Sequence, residues 1–215
     1  MSTWLMILLL LTSQPATTPA TAPTTRRVEV NLSTPLDAMR SSARAMRDGD
    51  GDAFAACADA IDDKGRRSLA AMGRWVTSGG RLERAVRARF GEAQSFNVLD
   101  AVPVVFNPWG IGAFGLEELE RARPEDVRIQ GDRATLRTRN VEMVVKRVGN
   151  QWKLPMPGGG DAPDVPVELY ARAADLYERI AQQIESGKYT DANDAAEQIG
   201  KMGAALPAVP ATQGR

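Results

Sequence analysis

Between residues 126 and 155, short runs of alternating apolar and polar side chains are separated by Gly131-Asp132 and Gly149-Asn150. A period of two puts the apolar set on one face of a strand and the polar set on the other, so each run reads as half-buried β-structure. Gly-Asp and Gly-Asn suit the positive φ of two-residue hairpin turns. Val127 and Ile129, then Ala134, Leu136 and Thr138, then Val141, Met143 and Val145, and finally Trp152-Lys153-Leu154, predict a small antiparallel meander. Between the second and third runs only Asn140 is a turn residue, which leaves either a tight reversal or a shifted boundary. A sheet with one apolar face must be covered, and the segment before it supplies candidates.

Thr34-Pro35-Leu36-Asp37 has the form of a helix start: a Thr cap, Pro at the first helical position and an acid three residues after the cap. The helix is expected to run to about Asp48 on a stripe of Leu36, Met39, Ala43 and Met46, with Gly49 ending it. Asp52 is expected to cap a second helix carrying Phe54, Cys57, Ala58 and Ile61. A third, from about Asp63 to Ala93, shows Leu69, Met72, Val76, Leu82, Val86 and Phe90, with Gly79-Gly80 as a break. From 94 to 125 the pattern weakens to a strand at Val102–Phe106, a turn at Asn107-Pro108 and a short helix at Leu116–Arg123.

After the meander, residues 157–166 read as a Gly/Pro linker. Leu169, Ala173, Leu176, Ile180 and Ile184 then mark an amphipathic helix stopped by Gly187, and Thr190 or Asp191 starts another through Ile199 and Met202. The expectation is a helical hairpin over 167–206 and a frayed tail over 207–215. Its apolar stripe must be buried on the main domain or on a partner, so a homo-oligomer or protein partner is expected there. The fold class is α+β: N-terminal helices packed on a curved antiparallel sheet, followed by that hairpin.

The first 25 residues contain an apolar run, Trp4 to Leu11, and then a Thr/Ala/Pro-rich stretch. The run is shorter than the roughly 20 apolar residues that span a bilayer and fits a signal-peptide core, although no Lys or Arg precedes it. Cleavage near Ala16, Ala20 or Ala22 would leave a mature chain without a membrane span, in a periplasmic or extracellular location. The Ala- and Arg-rich composition points to a bacterial source. Lys plus Arg and Asp plus Glu are 27 each, for a net charge of zero. The whole molecule therefore has no general attraction for nucleic acid, and an anionic partner would need a local patch. Cys57 is the only cysteine, which rules out an internal disulfide.

The Pro-initiated first helix ending in Arg47-Asp48-Gly49-Asp50, together with the strand patterns of Val127–Leu136 and Val144–Leu154, resembles the nuclear transport factor 2-like superfamily over residues 33–156. The resemblance implies a cone of helices on a curved sheet. It leaves activity open, because members range from enzymes to binding and dimerisation modules. The chain departs from that pattern in its short second-to-third strand spacing and in having no histidine.

Without histidine, triads with an imidazole base and His-containing zinc sites are excluded, and one cysteine cannot build a Cys-rich metal cluster. Gly110 to Gly115 matches GxGxxG, but Pro108 and Trp109 interrupt the strand before it, so a closing loop is the simpler reading. Asp48, Asp50, Asp52 and Asp59 echo a calcium loop but lack its sixth-position Gly and terminal Glu, which favours helix capping. No cofactor and no metal are expected. Carboxylate chemistry would fall to Asp100 or Glu142, the latter beside Arg137, Arg139 and Lys146, although a helix end or turn and a cross-strand ion pair are the simpler accounts of them. Arg67, Arg74, Arg81 and Arg84 lie in a basic run that could bind a polyanion, or else pair with the upstream aspartates. The sequence thus predicts an exported, non-catalytic binding or assembly module. The alternatives are a small-ligand pocket with hydrolase or isomerase chemistry and a polyanion or envelope-surface binder.

Overall fold

The computed structural model describes residues 27–102, 113–139, 141–156 and 167–203. The signal-like segment, most of the strand and turn expected at 102–108, Trp109, the first residues of the GxGxxG match, Asn140, the linker and the tail lie outside the described residues. The architecture is α+β, with six α-helices and one five-stranded sheet among the described residues.

Helix α1 (Pro35–Asp48) starts as its sequence dictates: the Thr34 hydroxyl accepts the Asp37 N–H at 3.1 Å, and Gly49, at φ 69°, turns the chain out of the helix. Helix α2 (Gly51–Ala56) follows at once, so its cap is Asp50 rather than Asp52: Asp50 Oδ1 accepts the Ala53 N–H at 2.9 Å. The helix stops before Cys57, and Ala58–Asp59 form strand β1. Helical spacing of Phe54, Cys57, Ala58 and Ile61 suggests a longer helix, but sheet pairing overrides it. Leu154 donates to the Cys57 carbonyl at 2.9 Å, Met156 to that of Asp59 at 3.2 Å, and Ile61 is left 73% exposed.

Helix α3 (Asp63–Asp100) is capped by Asp62, whose Oδ1 accepts the Gly65 N–H at 2.6 Å. It passes straight through Gly79-Gly80 and kinks instead at Gly91, where φ is 75° and ψ 169°. Gly80 serves close approach: a Cβ there would lie 2.5 Å from the Gly49 Cα, so the end of α1 touches α3 backbone to backbone. Helix α4 (Ala113–Arg121) takes in the last three residues of the GxGxxG match. Arg40 of α1 donates to the carbonyls of Leu119 at 3.1 Å and Ala122 at 2.7 Å, satisfying acceptors that a helix end leaves open.

The meander forms strands β2 (Val127–Gln130), β3 (Arg133–Arg137), β4 (Glu142–Val148) and β5 (Gln151–Pro155), in the sheet order β1-β5-β4-β3-β2. These four pair antiparallel, but β1 pairs parallel with β5, so the sheet is mixed rather than purely antiparallel. The ambiguous junction is a tight reversal: Thr138 N–H donates to the Val141 carbonyl at 2.8 Å, and the Thr138 hydroxyl accepts the Val141 N–H at 3.0 Å.

One buried cluster joins Met39 and Phe54 to Leu136, Met143, Val145 and Leu154, and takes in Met72 of α3. The C-terminal helices α5 (Val167–Glu185) and α6 (Ala192–Gly203) bury their stripes in a second cluster, where Leu176, Ile180, Ile184 and Ile199 meet Leu82 and Val86 of α3. The first turns of α5, with Leu169, Tyr170 and Ala173, belong to the sheet-side cluster. Trp75 packs against both clusters, its ring 5.5 Å from that of Tyr170 at an interplanar angle of 59°.

Candidate functional site

The basic run on α3 meets acids from α5. Arg74 binds Glu178 through Nε at 3.2 Å and Nη2 at 2.8 Å, with Asp175 at 2.7 Å. Arg81 grips Glu185 in the same forked way, at 3.0 and 2.6 Å. The hydrogen bond from Glu178 raises the pKa of Arg74, and that from Glu185 raises the pKa of Arg81. Arg84 donates to the Asp48 carbonyl at 3.3 Å, and Arg67 stands exposed two turns before Arg74. The expected pairing of the run with the upstream aspartates is corrected for Arg74 and Arg81, because α5 lies along α3 and supplies carboxylates at matching intervals. A stripe whose central guanidinia already hold carboxylates offers little to a polyanion.

Asp100 is the exposed last residue of α3. Glu142 opens β4, directly opposite Arg137, with its carboxylate 3.7 Å from the Arg137 Nε; the two side chains are 60% and 79% exposed. The carboxylates belong to separate elements and the structure gives neither an enclosed position. Water around Glu142 keeps its ion pair weak and leaves no means of shielding a reacting proton.

A cleft of about 380 Å³ opens at the α1–α2 corner, lined by Arg27, Gly49, Asp50, Gly51, Asp52 and Thr77. Asp50 is its buried acid, and both of its oxygens are used: Oδ1 caps α2, and Oδ2 accepts the Val28 N–H at 2.9 Å. Of the remaining acids in the calcium-like spacing, Asp48 pairs with Arg47 at 2.7 Å and Asp59 lies on β1. Among the described residues no group of three or more acids, cysteines or histidines is placed to hold a metal ion.

The largest concentration of uniform chemistry lies on the sheet face turned away from the core. Ala134, Leu136, Met143, Val145, Trp152 and Leu154 are buried on one side, so the alternate residues occupy the other, where they are exposed or half-exposed. Register then puts Gln130, Arg133, Lys146 and Lys153 in one row across four strands. Arg128 stands in the next row, opposite Thr135, which is in turn opposite Val144. Arg137 and Glu142 form the row beyond. Among the described residues five cations and two acids, Glu142 and Asp59 at the β1 edge, thus share a face of a chain whose total charge is zero.

Arg133, Lys146 and Lys153 are like charges on directly opposite residues of adjacent strands, and Arg133 and Lys146 each hold further partners. The sequence alone does not reveal this row because its members are 20 residues apart at the extremes. The signal was nonetheless present. The turns Gly131-Asp132 and Gly149-Asn150 set Gln130 against Arg133 and Lys146 against Lys153, and only the Thr138–Val141 reversal was needed to bring the two hairpins into line.

Among the described residues no helix is long and apolar enough to cross a membrane. Comparisons of the chain with protein-family models, with curated proteins and with solved structures find no match.

Proposed function

We propose that this chain is an exported, non-catalytic binding module that uses its open sheet face to hold an anionic partner. In this reading the described residues form a nuclear transport factor 2-like cone, with the helices laid on one side of a curved sheet and a C-terminal helical hairpin closing the far end. The observation that carries the proposal is the Arg133–Lys146–Lys153 row. Three basic side chains in register on the exposed side of adjacent strands present the charge that an anionic partner requires. An assembly role through the α5 stripe has less support, because that stripe is buried against α3.

Melting the protein with tripolyphosphate, and with sodium chloride at matched ionic strength, tests the proposal. Binding to the native state alone raises Tm by mass action, so tripolyphosphate should raise it beyond the salt control. The Lys153→Glu variant should lose that increment while melting no lower than the wild type in dilute buffer. An equal increment in wild type and variant, or none in either, overturns the reading.

A further inference from the structure

Ahead of α1 the chain runs along the outer edge of β5, where Trp152 donates to the Leu32 carbonyl at 2.9 Å just as Leu154 donates to that of Cys57. Held there, the segment alternates. Val28 and Val30 pack against the sheet-side cluster and Leu32 belongs to it, whereas Arg27, Glu29, Asn31 and Ser33 are exposed. Asn31-Leu32-Ser33 is an Asn-x-Ser triplet without proline, the pattern that N-linked glycan transfer requires. Of the six asparagines in the chain only Asn31 has Ser or Thr two residues on, and this single triplet falls where both of its polar members face solvent.

Hydrogen bonds orient the amide. Asn31 Oδ1 accepts the Ser33 N–H at 3.1 Å and the Ser33 hydroxyl at 2.8 Å. An oxygen that receives two donors must face Ser33, so Nδ2 is turned the other way, and among the described residues it has no acceptor. The main chain is fixed from beneath by the buried Ser41 of α1, whose hydroxyl accepts the Asn31 N–H at 3.0 Å and donates to the Asn31 carbonyl at 3.1 Å. The neighbouring Thr34 hydroxyl is already committed to the α1 cap. A bulky, hydrated substituent on Nδ2 would therefore extend into solvent without displacing a buried side chain.

We propose that Asn31 is the acceptor of an N-linked glycan. The inference rests on the export part of the reading above, because this modification belongs to secreted chains, and it needs nothing from the charged sheet face. The donor is an oligosaccharide carried on a lipid diphosphate, and an oligosaccharyltransferase catalyses the transfer. Asn31 Nδ2 attacks the anomeric carbon, the new C–N bond forms as the C–O bond to the diphosphate breaks, and the lipid diphosphate leaves with the electron pair. Nδ2 gives up one proton to a base of the transferase, and nothing is oxidised or reduced. The glycan then stands beside the β5 edge and screens it from other strands.

The test is expression of the full chain in a secreting yeast, once with its own first 25 residues and once with a leader of known function in their place. Wild type, Asn31→Gln, Ser33→Ala and Ser33→Thr are compared. Medium and cell-associated protein are both read by intact mass before and after peptide N-glycosidase, which converts a glycosylated Asn to the acid. Wild type should carry one glycan, released by the glycosidase with conversion at position 31. Asn31→Gln and Ser33→Ala should lose the whole mass increment, and Ser33→Thr, which keeps the hydroxyl, should retain it. Unmodified wild type behind the known leader overturns the inference, as does a glycan that survives in Asn31→Gln. Secretion with the chain's own leader but without a glycan keeps the export reading and removes the acceptor. Glycosylation behind the known leader alone keeps Asn31 as a competent acceptor and removes the export reading on which its use depends.

Discussion

Cys57 ends α2 with its side chain fully buried, and desolvation pushes the thiol from an ordinary 9.0 up to about 12, the positive charge of Lys153 offsetting only part of the shift. The thiolate is the reactive form, so Cys57 should resist iodoacetamide in the native protein and react on addition of urea, as followed by mass spectrometry. Burial shifts the Tyr170 phenol up from 10.0 in the same sense. Both groups stay protonated when folded and ionise when unfolded. Their contribution is therefore intact below pH 9.0 and is lost progressively as pH rises toward the raised native value near 12. Urea melts should show stability falling above about pH 9, and falling less steeply in Cys57→Ala. Trp75 is the other decisive residue, wedged between the two clusters with no acceptor for its indole N–H among the described residues. Trp75→Ala should cost about 3–5 kcal/mol. Trp75→Phe should cost much less, since no hydrogen bond is forfeited with the nitrogen. The burial of Cys57 follows from its apolar neighbours Phe54 and Ala58. The bridging role of Trp75 was not legible in the sequence, because helical spacing says which side of α3 is buried and nothing about how many partners share it.

At the level of elements, the contact of the α1–α2 corner with α3 depends on the absence of side chains. A Cβ on Gly51 would lie 2.1 Å from the Gly73 carbonyl oxygen and 2.4 Å from the Thr77 hydroxyl. Gly51→Ala should destabilise by about 1–3 kcal/mol in a denaturant melt, and Gly80→Ala, facing the Gly49 backbone, by a similar amount. The forked Arg81–Glu185 bridge looks stronger on paper, yet its partners are 42% and 43% exposed, and Arg81→Ala should cost no more than about 1 kcal/mol. The limits of α1 could be read from Thr34, Pro35 and Gly49, since each acts through its own backbone. The end of α2 could not, because the bonds that convert Ala58–Asp59 into a strand come from β5, almost a hundred residues away. Gly79-Gly80 misled for a related reason: a glycine pair weakens an isolated helix, but here the space above Gly80 is occupied by another backbone.

Across the whole molecule, the sequence supplied an amphipathic α5 but left its partner open between the same chain and another, since periodicity identifies a buried face without naming what buries it. The structure lays that face on α3, beside acids that neutralise the basic run. A chain ending at residue 166 would uncover Leu82, Val86 and part of the sheet-side cluster, and should lose its cooperative melt and aggregate on size exclusion. A soluble monomer with an unchanged melt would mean that the C-terminal helices are dispensable. The charged sheet face faced a comparable barrier: each cation had a plain solubilising role in its own strand, and only the joint register of three strands makes them neighbours. Helix α3 contributes Met72 to one greasy interior and Leu82 and Val86 to the other. A shared spindle of this kind couples the two halves mechanically: neither can come loose without stripping a flank of the rod that steadies its neighbour. Scanning calorimetry should accordingly record one endotherm, with the slowest-exchanging amides along the middle of that rod.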